Sequence, residues 1–310
     1  MTSRILLYGV GAIGQAVAQA AATRRDVSVT AAVDPGLAGR DLGAVSGAWT
    51  GVRICASLGE ALARAGADCA IHATGSRLAQ IAPQLIEIAD AGLSVVSSCE
   101  ELCVPSAVDP ALARQLDARA VEKGVAIIAA GVNPGLVMEA LPVLAATACV
   151  RVDSIRVERV VDLARRRPQL QRKLGVGMDP AAFRTLAANH SGGRDLGHVG
   201  LSQSMEAIAR ALDLELDTEQ RGIEPIVRDG AVVGAEEIRR AHCEGTVIEL
   251  VLRMEMSPRE EFDEVRIEGD PPIRVTVPGG IHGDRATVGR LLNAVRYARK
   301  VQGLNPGTLW

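Results

Sequence analysis

Two carboxylates stand side by side at Glu100 and Glu101, directly after the apolar run LSVVSSC at residues 93–99. Acids at such a position can be an ordinary solvated helix start. One of them can instead be the group that takes and returns a proton, a task that desolvation favours by raising a carboxylate pKa toward neutrality. Other candidates are scattered. His72 follows an apolar stretch and reads as a packing residue at a strand end. His198 lies between two glycines in GHVGL and reads equally as a substrate contact or a loop residue; His282, in a glycine-dense turn, is a weaker version of the same choice. Asn133 precedes Pro134, where it can serve turn chemistry or face a cleft. Beyond residue 123 the only lysines are Lys173 and Lys300, so a lysine-based site is poorly supplied.

The elements that must position these groups are readable in the first half. RILLYGV at residues 4–10 is a nearly continuous apolar run, as in a central parallel strand covered on both faces. It enters GVGAIG, with glycines at 9, 11 and 14, then an Ala-rich helical stretch and a second strand ending at Asp34. This is the full dinucleotide-binding context. Gly9 makes the tight turn, Gly11 lets a pyrophosphate approach the backbone, and Gly14 lets the helix lie close to the strand. Ala12 and Ile13 complete the phosphate turn at the helix start. Asp34 stands where an acid accepts hydrogen bonds from a ribose. It favours NAD, because a 2′-phosphate would meet a like charge, while Arg40 keeps NADP open. Helical and strand segments continue to alternate to about residue 135, as in an α/β fold with a Rossmann-type, doubly wound parallel sheet. Three loops then face the nicotinamide end: HATGS with Thr74 and Gly75 as cofactor contacts, SSCEEL with the two acids, and GVNPG.

After about residue 150 the pattern changes. RVDSIRVERVVD alternates apolar and polar residues, and TEQRGIEPIV, GTVIELVLRMEMS and FDEVRIEGDPPIRVTVPGG all have strand character, with a loop feeding an amphipathic helix at residues 197–216 between them. These segments predict an α+β substrate and dimerisation domain with an open mixed sheet over residues 136–289. Residues 1–135, with a helix at about 290–310 returning, form the dinucleotide-binding domain. An open sheet must bury a face, which suggests a homodimer. The arginine run at 165–167 reads as a solvated surface or a dimer edge.

Composition narrows the rest. The 310 residues carry 34 basic and 37 acidic side chains, a balance that argues against a nucleic-acid surface. No apolar run of membrane-spanning length and no signal-peptide pattern occurs, so a cytoplasmic protein is expected. The six cysteines lie in apolar surroundings and read as reduced thiols. Cys99 and Cys103 have no second pair or histidine nearby, so no metal site is expected.

Taken in order, GVGAIG, HATGS, SSCEEL, GVNPGLVME, GHVGL and GGIHGDRAT resemble the 2,4-diaminopentanoate dehydrogenase and native amine dehydrogenase family, which shares its fold with dihydrodipicolinate reductase. The resemblance runs from Gly9 to Asn293. It implies a nicotinamide-dependent, reversible oxidative deamination of a primary amine, or reductive amination of a ketone with ammonia. It further implies that the catalytic carboxylate is Glu100, with Glu101 the lesser choice. The substrate would lie near Asn133, Pro134 and Gly135 and near His198. Leu136 stands where many of these enzymes have an aromatic residue, so a smaller wall would admit a bulkier group. The lysine-pathway reductase's His-His signature is absent. A reductase of imines or carbonyls on the same fold, and a non-catalytic nucleotide sensor, are the competing readings.

Overall fold

The first apolar run forms β1 (Ser3–Tyr8), in which Ile5, Leu6 and Leu7 have no exposed surface. The protein was analysed as a computed structural model that describes residues 2–166, 168–189 and 200–305. Alternation then proceeds through α1 (Ala12–Ala22), β2 (Val27–Val33), α2 (Leu42–Ser46), β3 (Ile54–Cys55), α3 (Leu58–Arg64), β4 (Cys69–His72), α4 (Leu78–Asp90), β5 (Ser94–Ser97), α5 (Pro105–Val108), α6 (Pro110–Lys123) and β6 (Ala126–Ala129). These strands lie in the order β6-β5-β4-β1-β2-β3 and all neighbours are parallel. The order reverses between β1 and β4, which is where such sheets bind their ligands. Both faces are covered, and the period of two sorts the side chains. Ile5 and Leu7 join Val17 and Leu291 in one apolar layer, whereas Leu6 joins Leu85 and Leu116 in the other.

The second unit opens with a π-helical turn, Leu136–Ala140, and α7 (Leu141–Ala146). It continues with β7 (Arg151–Asp162), α8 (Pro168–Lys173), α9 (Pro180–Asn189), α10 (Leu201–Ala211), β8 (Thr218–Arg228), β9 (Ala231–Cys243), β10 (Thr246–Glu255), β11 (Phe262–Asp270) and β12 (Ile273–Pro278). The strand order is β12-β11-β7-β10-β9-β8, antiparallel except for the parallel pair β7 and β10, giving an α/β fold with a second, mixed sheet. Strand β9 was not among the segments with strand character in the sequence. Its apolar period is interrupted by Glu236, Glu237, Arg239 and Arg240; Glu237 and Arg239 are buried as an ion pair at 2.6 Å, with Glu219 of β8 3.6 Å from Arg239.

The chain then returns to the first unit as α11 (Gly283–Ala298) and β13 (Gly303–Asn305), which pairs parallel to β6. The return begins at His282, some residues before the position expected from sequence, and the two compact units are Met1–Gly135 with His282–Trp310, and Leu136–Ile281. Among the described residues no helix is long and apolar enough to cross a membrane.

Candidate active site

Strand register decides which loops meet. Val33, Tyr8, His72, Ser97 and Ala129 are successive partners across β2, β1, β4, β5 and β6. They form one row at the carboxyl edge of the parallel sheet. The backbone ladder extends one residue further, with the N–H of Gly9, Ala73 and Ala130 donating to Val33, Tyr8 and Ser97 at 2.8 Å each. Every loop singled out in the first half of the sequence therefore leaves the sheet at this edge.

The glycine loop is fixed by close approach. Gly9 has a φ of +96°, and a Cβ there would come within 2.7 Å of the Ala73 carbonyl oxygen. At Gly14 a Cβ would fall on the carbonyl oxygen of Gly9, so the first turn of α1 lies against the loop. Gly11 is different: a Cβ there would meet nothing within 4 Å. Gly11 is also the N-cap of α1 and supplies no side-chain cap, so the first-turn N–H groups of the helix are left without one. Open space over uncapped N–H donors fits a dinucleotide pyrophosphate, with Ala12 and Ile13 in the same turn.

Asp34 follows β2 and ties this loop to its neighbour. One carboxylate oxygen accepts from the Val10 N–H at 2.9 Å and the other from the Gly36 N–H at 3.0 Å. Each oxygen keeps a lone pair, so the acid remains able to accept from ribose hydroxyls. Arg40 is exposed on the following loop, and its side chain makes no ion pair among the described residues. Thr74 and Gly75 lie on the loop after β4, where the Thr74 hydroxyl donates to Gln84 Oε1 at 2.6 Å.

The adjacent acids begin a 3-10 turn, Glu100–Leu102, immediately beyond β5. They differ sharply in their surroundings. Glu101 is only 7% exposed. Its Oε2 accepts from the Leu78 N–H at 2.8 Å, at the start of α4, and its Oε1 meets Arg77 Nη1 at 3.0 Å. Its own N–H donates to the Ser76 carbonyl at 3.2 Å. Glu101 thus fastens the loop after β5 to the start of α4. Glu100, one residue earlier, is half-buried at the same edge. The preceding Cys99 thiol is pushed up to about 12 by burial, so it remains protonated and is not a nucleophile.

The turn after β6 is as tightly built as the glycine loop. A Cβ on Gly131 would come within 2.5 Å of the Pro134 carbonyl oxygen, and the Asn133–Pro134 peptide bond is cis. Pro134 is buried. Both polar atoms of the Asn133 carboxamide are buried and lack a hydrogen-bond partner among the described residues. A buried donor and acceptor left unmatched are costly, so the carboxamide is the kind of group a ligand completes. His72 is wholly buried within that edge row. Exposed His282 caps α11, its Nδ1 accepting from the Arg285 N–H at 3.5 Å. His198 and Arg167 lie outside the described residues.

Within the second unit, sequence reasoning missed a set of buried charges. Leu136 is half-buried at the start of the π turn, whose Glu139 is wholly buried and accepts a hydrogen bond from the Ser204 hydroxyl of α10. Arg159 of β7 and Asp263 of β11 form a buried pair, with Nη1 at 3.1 Å from Oδ2. Oδ1 is equally near but off the hydrogen-bond direction, so it gains attraction without a bond. Both also grip Ile281, Arg159 Nη2 donating to its carbonyl at 2.6 Å and Asp263 Oδ2 accepting from its N–H at 2.7 Å. Burial lowers the pKa of Arg159 and raises that of Asp263, while each partner opposes the shift of the other. Asp263 is 104 residues from Arg159, a separation that spacing rules do not reach.

Comparisons with known proteins bear on the whole chain. The family model described as the 2,4-diaminopentanoate dehydrogenase C-terminal domain matches residues 136–305, more than half of the sequence. The 2,4-diaminopentanoate dehydrogenase of Acetoanaerobium sticklandii is 28% identical over 304 residues, covering 90% of this chain and 85% of that protein. Among solved structures, an amine dehydrogenase from Mycobacterium smegmatis superposes with a TM-score of 0.83 at 22% identity, over 99% of this chain and 95% of that one. A dipicolinate-bound dihydrodipicolinate reductase from Paenisporosarcina sp. TG-14 shares the fold more loosely, with a TM-score of 0.57 at 11% identity over 98% and 97% of the two chains. On the extent of the family match, the chain belongs to the 2,4-diaminopentanoate dehydrogenase family through its C-terminal domain, residues 136–305.

Proposed function

We propose that the protein is an NAD(P)-dependent amine dehydrogenase, interconverting a small primary amine with its ketone and ammonia, and that Glu100 is its catalytic carboxylate. Membership of a dehydrogenase family supports the oxidoreductase class. The observation that carries the residue assignment is the contrast between the two acids. Glu101 is committed to the Leu78 N–H and to Arg77 as a fastener of two loops, while Glu100 stands half-buried beside it at the carboxyl edge of the sheet.

Gly9, Gly11, Ala12, Ile13 and Gly14 would hold the dinucleotide phosphates, Asp34 the adenosine ribose, and Thr74 and Gly75 the side toward the nicotinamide. The bound dinucleotide accepts hydride in deamination and supplies it in amination. Asp34 favours NAD, while Arg40 is the residue through which NADP would be accepted. The Glu100 carboxylate pairs with the substrate ammonium and takes its proton, leaving the neutral amine that hydride loss requires. Once that proton has passed on to solvent, the restored carboxylate charge sits beside the iminium and stabilises it until water adds. Asn133, with its unmatched carboxamide, offers one donor and one acceptor to the substrate. Pro134 and Leu136 supply apolar wall, and His198 is a further substrate contact. A cytoplasmic homodimer, paired through the second unit, completes the reading.

The test is ammonium dependence. Nicotinamide absorbance is followed with NADH or NADPH and a panel of ketones, with and without ammonium. Oxidation of the cofactor that requires ammonium is expected. Ketone turnover that is indifferent to ammonium would overturn the amine reading in favour of a carbonyl reductase.

A further inference from the structure

Below the two loops that carry Thr74 and Glu100 lies a buried chain of polar groups centred on His72. The ring is wholly buried and packs against Tyr8, with centroids 5.6 Å apart. Nδ1 is 2.9 Å from Ser97 Oγ, and Nε2 is 2.7 Å from Gln84 Oε1 and 2.9 Å from Thr74 Oγ1. The Cys99 N–H donates to Ser97 Oγ at 3.1 Å.

With the Gln84 amide oxygen facing the ring, donor counting gives the direction of the chain. An amide oxygen only accepts, and the single Thr74 hydroxyl hydrogen already goes to Gln84 Oε1. Nε2 must therefore carry the hydrogen that meets Gln84 Oε1. Nδ1 is then bare and accepts from the Ser97 hydroxyl, whose oxygen in turn accepts from Cys99. Each hydrogen is used once. With the opposite tautomer a bare Nε2 would face the Gln84 oxygen, lone pair to lone pair. Burial lowers the His72 pKa, with the Gln84 hydrogen bond opposing it, which keeps the ring neutral. Titratable neighbours include Tyr8, pushed up to about 12 mainly by burial, Glu87 of α4, to which the Tyr8 hydroxyl donates at 3.0 Å, and Cys99 on the Ser97 arm.

We infer that His72 is a positioning residue, a neutral Nε2–H imidazole that ties the loop carrying Glu100 to the loop carrying Thr74 and Gly75. One arm runs through Ser97 to the backbone of Cys99, the residue before Glu100. The other runs through Gln84 to Thr74. Each arm sets one half of the reaction, so the functional consequence rests on the amine dehydrogenase reading. The tautomer does not, because it is a property of the protein alone.

Two measurements test it. The first is long-range 1H–15N correlation of histidine-labelled protein, with the signal of His72 identified by its loss in His72→Asn. A neutral ring protonated at Nε2, unchanged from pH 6 to pH 9, is expected. An Nδ1–H pattern, or titration in that range, would overturn the assignment whether or not any amine is turned over. The second divides the arms. His72→Asn keeps an amide oxygen near the place of Nδ1 and so preserves the Ser97 arm. His72→Gln brings an amide nitrogen near the place of Nε2 and preserves the Gln84 arm. Loss of one buried hydrogen bond predicts about a tenfold effect. For His72→Asn it should fall mainly on the dinucleotide KM, and for His72→Gln mainly on kcat. Parallel losses in both variants that simply follow their Tm values would reduce His72 to a packing residue and refute the inference.

Discussion

The two sheets of this protein handle polar groups in opposite ways. Along the parallel sheet of the first unit the strand interiors are apolar, and the buried polar side chains His72 and Ser97 stand in the row at the carboxyl edge. In the mixed sheet, charged side chains are buried within the strands, as Arg159 with Asp263 and Arg239 with Glu237. The first arrangement separates the apolar layers that hold the sheet from the loops at one edge that carry the candidate site residues. The second makes folding depend on charge pairs, because a buried ion deprived of its partner is far more costly than the pair itself.

The largest expected effect breaks that comparison where it is most exposed. Arg159→Met leaves Asp263 buried and uncompensated and should cost about 3–5 kcal/mol in urea unfolding. Replacing both members with apolar residues should recover most of the loss. If the single substitution is tolerated, the second sheet does not depend on charge in the way described.

Next comes Glu101→Gln, which removes a charged partner from Arg77 and weakens the bond to the Leu78 N–H. A loss of about 1–3 kcal/mol in stability is expected, with turnover reduced far less than stability would suggest for a catalytic acid. A smaller effect, about tenfold, is expected on cofactor choice. Asp34→Ser should shift the ratio of kcat/KM values for NADP and NAD toward NADP by that factor, because the like charge facing a 2′-phosphate is gone.

The smallest concerns pH. Asp26 is held below the ordinary carboxylate range, chiefly by the Arg24 guanidinium beside it and further by Arg296. A carboxylate whose folded pKa is depressed contributes its stability above its unfolded pKa of about 4, and that contribution is lost as pH falls through the folded value. Tm should therefore drop more steeply below about pH 4 in the native protein than in Asp26→Asn, by an amount worth under about 1 kcal/mol, since the ion pair is partly exposed.

These differences also explain what could be read in the sequence. Gly9 and Gly14 were legible because their demand is on the backbone itself, a left-handed turn at one and a carbonyl in the place of a side chain at the other. The parallel strands were legible because burial on both faces leaves unbroken apolar runs. Strand β9 was not, because charged residues interrupt its apolar period, and Glu237 and Arg239, two apart on the same strand, are buried as an ion pair. Nor could spacing separate Glu100 from Glu101; only the family resemblance favoured the first. Their spacing is identical, and the difference lies in Leu78 and Arg77, 23 and 24 residues away. The role of His72 was hidden for the same reason, since it depends on Gln84 and Ser97, 12 and 25 residues distant.

The central claim is that one of two neighbouring acids does chemistry and the other holds the loop. Its most direct test is turnover of Glu100→Gln under saturating amine and cofactor, with Glu101→Gln measured beside it. Glu100→Gln should lose at least about 100-fold in kcat, while its dinucleotide Kd and Tm stay near those of the native enzyme. Near-native turnover in Glu100→Gln, together with its abolition in Glu101→Gln, would contradict the account.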